Sequence, residues 1–299
     1  MVKLPEAKQA AEAQKGAWLS IFSYLILSAV KCWVGVTEHS QAVFADGLNN
    51  VSDILLSVAI LIGLRVAVQP ADSNHPFGHS KAETVATLVA ASCMVLVALE
   101  VWIGAVEAVL HPRSGQIGNA ALAVSLISAV VMLLVSSVNF ALSKKTNSEA
   151  LQAAAHDNRS DALVSLGAAV GIIGANLGWM WMDPLAAFAV GLLILRTGYQ
   201  VGKPAIDMLM DGFDAEKTER IQARVVQIAG IREVKALRAR HQGMHVFVEL
   251  TVGVDAHLSV EESHRLTEEV EEALIGFEQI AHVHVHVEPA DPPQKLTSI

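Results

Sequence analysis

Cysteine is scarce in this chain of 299 residues, which has only Cys32 and Cys93. Two thiols form neither a zinc–cysteine cluster nor a disulfide framework, and both sit in apolar runs, where they read as small packing residues. No H-E-x-x-H motif occurs, which argues against a membrane-embedded metalloenzyme activating water at an open histidine site. Positive charge is also short: 21 basic against 30 acidic residues, for a net charge of −9. The acidic excess gathers late in the chain, where Glu261, Glu262, Glu268, Glu269, Glu271 and Glu272 crowd one amphipathic helix. Such a surface repels nucleic acid, so neither DNA nor RNA is expected as a partner. A cleavable leader is not expected either. Residues 1–15, with Lys3, Glu6, Lys8, Glu12 and Lys15, are polar and helix-forming, and no small-residue cleavage site follows a short apolar core.

What the chain has in abundance is apolar surface: 53% of residues are hydrophobic and the mean hydropathy is +0.43. Six apolar stretches are long enough to cross a bilayer at about 1.5 Å per residue. They run over Trp18–Val36, Gln41–Val66, Val85–Val109, Ile117–Leu142, Ala150–Gly178 and Pro184–Val201. Placing the N-terminus in the cytoplasm puts Lys3, Lys8, Lys15, Arg65, Lys81, Lys144, Lys145 and Lys203 inside and leaves only Arg113 outside, so both termini are expected to be cytoplasmic.

Two pairs of oxygen ligands interrupt these stretches. Asp46 with Asn50, and Asp157 with Asp161, are each spaced i, i+4, so each pair shares one helix face. A carboxylate at membrane depth costs on the order of 3 kcal/mol. A divalent cation is the natural compensating charge for such a set. Asp53 lies a further turn along the face of Asp46 and Asn50, where it reads as a proton acceptor or as a water-exposed carboxylate. Lys31 and Glu100 are the other charges at this depth, and a buried ion pair between the first and third spans is expected. Between the second and third spans, the run Pro70-Ala-Asp-Ser-Asn-His-Pro-Phe-Gly-His-Ser-Lys-Ala-Glu83 offers Asp72, His75 and His79, which a glycine-containing turn can bring onto one metal.

From about Ala205 the pattern changes to a small soluble domain. A helix capped by Asp214 covers Glu216–Ala229, and strands cover Val234–Arg240 and His245–Val252. A second helix opened by Ser259 covers Val260–Leu274, and a last strand covers His282–Glu288. One apolar face per element gives an α+β layer with a ferredoxin-like order. The fold class is thus an α-helical membrane protein of six spans with a C-terminal α+β, ferredoxin-like cytosolic domain. The divisions are 1–15 (cytosolic segment), 16–204 (membrane), 205–290 (cytosolic domain) and 291–299 (tail).

The six spans, Asp46-Gly-Leu-Asn-Asn50, the Pro70–Glu83 loop and His156-Asp-Asn-Arg-Ser-Asp161 together resemble the cation diffusion facilitator family over nearly the whole chain. The resemblance implies a homodimeric metal(II)/proton antiporter that moves transition metals out of the cytoplasm. It implies that Asp46, Asn50, Asp157 and Asp161 form the transport site and that Asp72, His75 and His79 form a secondary site. It also implies that Glu249, His264, His286 and Glu288 are cytosolic metal positions, and that Lys81 and Asp211 make a charge contact where the domains meet. Zinc-type members carry histidine in place of Asp157 and aspartate in place of Asn50, and a metal-ligating histidine in place of Lys235. An all-oxygen set suits Mn²⁺ better than Zn²⁺, and the combination resembles the manganese-exporting branch, so the expected cargo is Mn²⁺, then Fe²⁺, then Zn²⁺.

The expected mechanism is alternating access. Three carboxylates around a 2+ ion leave one negative charge, and without metal they repel one another until a proton is taken up. A non-transporting metal sensor is the remaining rival, and the intact four-ligand set argues against it. The expected location is a bacterial cytoplasmic membrane.

Overall fold

A computed structural model describes residues 6–111, 116–146, 149–243 and 245–290. Side chains are described from Lys15 onward, leaving out residues 149 and 150. Lys3, Arg113 and the tail at 291–299 lie outside the described residues. Six long helices come first: α1 (Glu6–Thr37), α2 (Gln41–Ala67), α3 (Ala82–Leu110), α4 (Asn119–Thr146), α5 (Glu149–Asn176) and α6 (Met182–Leu209). Then follow α7 (Ala215–Val226), β1 (Glu233–Gln242), β2 (His245–Val254), α8 (Val260–Leu274) and β3 (Ile280–Pro289). Five of the six long helices are apolar enough to cross a membrane by length and composition. The exception is α5, equally long but carrying Asp157, Arg159 and Asp161. Helix α1 reaches back to Glu6, into the stretch expected to precede the membrane.

The chain divides into two compact units. The first comprises residues up to Ala59 together with Val89–Val201. Its helices are built inside out relative to a soluble protein: Trp18, Phe22, Leu25, Ile26 and Trp33 of α1 are exposed, while Ser20, Tyr24, Ser28 and Lys31 on the opposite face are buried. In lipid the apolar side needs no burial, whereas polar groups must find partners inside the bundle. Apolar packing forms around Ala45, Met94, Ala98, Val101, Val190 and Ile194 from α2, α3 and α6. A second cluster joins Tyr24, Leu27, Met132 and Ala162 from α1, α4 and α5.

The α1–α2 hairpin is tight because glycines stand at its contacts. A Cβ at Gly47 would lie 2.7 Å from the Cys32 Sγ and 2.9 Å from the Cys32 backbone nitrogen. Side chains do not approach backbone that closely, so α1 would have to move. Gly47→Ala is therefore expected to cost about 1–3 kcal/mol, the usual penalty for overpacking, and to lower the melting temperature of the purified protein. Gly167→Ala, where a Cβ meets nothing within 4 Å, serves as the control and is expected to melt no lower. Equal melting of the two variants would show that the hairpin tolerates separation.

The ion pair expected between Lys31 and Glu100 is not what forms. Lys31 pairs with Asp46 across the hairpin, and Glu100 is exposed on α3. The short 38–40 link sets Lys31 and Asp46 at similar heights on adjacent antiparallel helices, and Gly47 lets them close.

The second unit comprises Ile60–Leu88 and the chain from Gly202 onward. Its sheet has the order β1-β2-β3, with β1 antiparallel and β3 parallel to β2. Val246, Val248, Leu250 and Val252 of β2 and Val283 of β3 form one core face, covered by Ile221 and Val225 of α7 and Val270 and Leu274 of α8. Asp214 caps α7 by accepting the Glu216 and Lys217 N–H groups, and Ser259 with Glu262 forms a capping box on α8. Helix α7 stops at Val226, three residues short of the sequence expectation, as the chain turns toward Gly230, whose φ of +97° favours glycine.

Candidate metal transport site

Helix α2 supplies Asp46 and Asn50, and α5 supplies Asp157 and Asp161. The first two and Asp161 are buried, while Asp157 is exposed. Each pair is held by a residue of α1. The Lys31 ammonium lies 2.9 Å from Asp46 Oδ1, 2.8 Å from Asn50 Oδ1 and 3.1 Å from Ser165 Oγ. These contacts use all three of its N–H donors. The Tyr24 hydroxyl donates to Asp161 Oδ2 at 2.6 Å and stands 3.4 Å from Asp157 Oδ2. Two bonds tie α2 to α5. Ser165 Oγ donates to Asp46 Oδ2 at 2.7 Å, and Asn49 Nδ2 donates to Asp161 Oδ1 at 3.0 Å. Asn49 Nδ2 also lies 3.5 Å from Asp53 Oδ2, so Asp53 sits at the edge of the same network.

Behind Tyr24, a buried amide cluster fixes α1 against α4 and α5. Asn158 Nδ2 donates to the Tyr24 hydroxyl at 2.9 Å, and Asn139 Nδ2 donates to Ser20 Oγ at 2.8 Å and Asn158 Oδ1 at 2.9 Å. The four expected ligands thus share one polar region, but in two halves. Among the described residues, the carboxylates of Asp46, Asp157 and Asp161 do not all come within 4.8 Å of one another. Lys31, Tyr24, Asn49 and Ser165 were missed as members of this network. The available signals were a tyrosine and a lysine seven residues apart in the apolar run of α1, and a serine four residues after Asp161.

The loop triad does assemble. Asp72, His75 and His79 each bring a ligand atom within 4.8 Å of the others, the one such group among the described residues. His75 Nδ1 is 3.1 Å from Asp72 Oδ1, and His79 Nε2 is 3.5 Å from Asp72 Oδ2. The backbone N–H of His75, then that of Asn74, bonds the Asp72 carboxylate and holds its pKa below the ordinary value. His79 Nδ1 is buried with no partner among the described residues.

Within one chain the cytosolic quartet does not converge. Glu249, His286 and Glu288 lie on the open face of the sheet, whereas His264 is exposed on α8, which covers the opposite, valine face. Glu249 instead lies 3.7 Å from Arg240, and His264 lies 3.6 Å from Glu268. Lys235 Nζ stands 3.4 Å from Glu288 Oε2, where its charge opposes a bound cation. Lys81 does reach Asp211, at 3.0 Å, and this bond holds the Asp211 carboxyl below its ordinary pKa. The pair is largely exposed, which limits its contribution to about 1 kcal/mol at most.

Residues 17–210 match the family described as the cation efflux transmembrane domain, and residues 213–290 match the cation efflux protein cytoplasmic domain. The chain belongs to the cation efflux, or cation diffusion facilitator, family. This cation efflux protein is 42% identical to the uncharacterized transporter YdbO of Bacillus subtilis over 280 residues, which cover 94% of this chain and 97% of that one. It is 40% identical to the manganese efflux system protein MneS of the same organism, again over 94% and 97% of the two chains. A third relative, the manganese efflux system protein MneP, is 31% identical over 93% of this chain and 96% of its own. As a member of this family, the protein is an integral membrane divalent-cation efflux transporter with a cytoplasmic C-terminal domain, and it is not an enzyme.

Proposed function

We propose that this cation efflux protein exports Mn²⁺ from the cytoplasm in exchange for protons. The observation that carries the reading is the donor set: Asp46, Asn50, Asp157 and Asp161 bring oxygen alone, with no imidazole among them. Hard oxygen ligands favour Mn²⁺, while nitrogen and sulfur favour Zn²⁺. Two relatives named as manganese efflux proteins support the same cargo.

In this mechanism Mn²⁺ enters from the cytoplasm, sheds water and binds the three carboxylates and the Asn50 carbonyl. Helix movement exposes the site to the other side, where metal leaves and protons take its place. Metal and proton each favour a different state, which is what couples them. Asp53, beside Asn49, relays protons. Asp72, His75 and His79 form a second metal site on the cytoplasmic loop, and Glu249, His264, His286 and Glu288 contribute to metal sensing in the cytosolic domain. The working unit is a homodimer in a bacterial cytoplasmic membrane with both termini inside, divided at 16–204 and 205–290 into membrane and cytosolic parts.

Purified protein in proteoliposomes, with a pH dye in the lumen, tests this. Mn²⁺ is expected to move with counter-moving protons and to outcompete Fe²⁺, Zn²⁺ and Co²⁺. Preference for Zn²⁺ or Fe²⁺ would overturn the cargo, and metal movement without protons would overturn the antiport. No movement of any metal would leave a sensor.

A further inference from the structure

Lys31 is the largest fully buried side chain of the first unit and carries a full charge, yet neither the oxygen-ligand pattern nor the transport cycle above uses it. Its ammonium stands on two of the four proposed ligands at once, at 2.9 Å from Asp46 and 2.8 Å from Asn50. The ammonium stands beside the two oxygens that a cation bound in this half of the site would share, at hydrogen-bond distance. The other two ligands, Asp157 and Asp161, are addressed by the Tyr24 hydroxyl. Two further features hold the ammonium in place. Ser165 accepts its third N–H while donating to Asp46, and Gly47 lets the α1 backbone close on α2 beside it.

We propose that Lys31 is a tethered competitor for the transported metal, a cation built into α1 that occupies the Asp46–Asn50 half of the site and must be displaced before all four ligands can close on the cargo. The proposal rests on the four-residue transport site set out above. Three consequences follow from charge and geometry. An unloaded site that already holds a cation is spared an unpaired Asp46 carboxylate in the membrane. The ammonium lowers the affinity for a dication, both by blocking two ligands and by repulsion, which aids release. Because Lys31 is anchored to α1, loading must either swing its side chain or shift α1 against α2, which ties site occupancy to helix position.

Equilibrium Mn²⁺ binding by the full-length protein in lipid nanodiscs tests this, in a background carrying Asp72→Ala, His75→Ala and His79→Ala so that the loop does not contribute. Lys31→Met removes the competitor and is expected to bind Mn²⁺ about tenfold more tightly or better. Lys31→Gln keeps a donor for Asn50 but loses the charge, and it is expected to tighten binding in the same direction even where the methionine variant folds poorly. Lys31→Arg keeps the charge and is expected to bind no more tightly than the parent. In proteoliposomes the tightening variants are expected to lower both KM and kcat, because release slows. A purely structural lysine gives a different result: Lys31→Gln binding equal to or weaker than the parent overturns the proposal. Asp157→Ala separates the underlying reading. If that variant binds Mn²⁺ like the parent, the four-residue site is itself misplaced, and the proposal about Lys31 falls with it.

Discussion

Asp161→Asn is expected to abolish metal transport while leaving the protein folded. Asp161 is buried, accepts from Tyr24 on one oxygen and faces Asn49 on the other. An asparagine retains an acceptor for the 2.6 Å Tyr24 bond but removes one of the three charges proposed to hold the cargo. Losing one charged ligand of a dication is expected to weaken binding at least about a hundredfold, or about 3 kcal/mol. Alanine is a less informative choice, since it strands the Tyr24 hydroxyl and the Asn49 amide at about 1–3 kcal/mol for each buried unsatisfied group. Asp46 is worse still, because its removal leaves the fully buried Lys31 ammonium without its carboxylate, and breaking such a pair costs about 3–5 kcal/mol. Uptake into proteoliposomes, with a melting curve alongside, checks the claim. Near-normal Mn²⁺ transport by a stable Asp161→Asn protein would remove Asp161 from the site.

Asp157→His is expected to shift cargo preference toward Zn²⁺. Asp157 is the most replaceable of the four proposed ligands: it is exposed, and Tyr24 approaches it only to 3.4 Å, giving its single hydroxyl proton to Asp161. An imidazole there converts an all-oxygen set into the mixed nitrogen–oxygen set that tetrahedral Zn²⁺ favours. The ratio of Zn²⁺ to Mn²⁺ transport is expected to rise about tenfold or more. Adding Asn50→Asp is expected to strengthen Zn²⁺ binding further by supplying a second carboxylate beside Lys31. An unchanged ratio in both variants would place selectivity outside these four residues.

Much of this molecule was legible in one dimension because the relevant interactions are local. Apolar length placed the six long helices, five of them apolar enough to cross a bilayer and α5 despite its Asp157, Arg159 and Asp161. Alternation located the second and third strands, and Asp214 and Ser259 marked helix starts through bonds that span only two or three residues. That Asp46 with Asn50, and Asp157 with Asp161, share a helix face was readable for the same reason, as i, i+4 on a helix is one face whatever surrounds it. The loop triad also proved local: a single turn closed by Asp72 gathers both imidazoles.

What failed to be legible depended on helix rotation or on the side of a sheet. Lys31 had two acidic candidates at comparable depth, and only the height and closeness of the α1–α2 hairpin selected Asp46 over Glu100. Tyr24, Asn49 and Ser165 are ordinary polar residues until three helices turn them toward one another. His264 and His286 are both histidines of one small domain, yet the sheet separates them within a chain. The amino-acid sequence by itself determined the membrane class, the element order and which oxygen-bearing side chains travel in pairs, because backbone geometry repeats along the chain. The tertiary structure alone decided that α1 holds both pairs, with Lys31 on one and Tyr24 on the other, because contacts between helices depend on rotations and heights that no local spacing encodes.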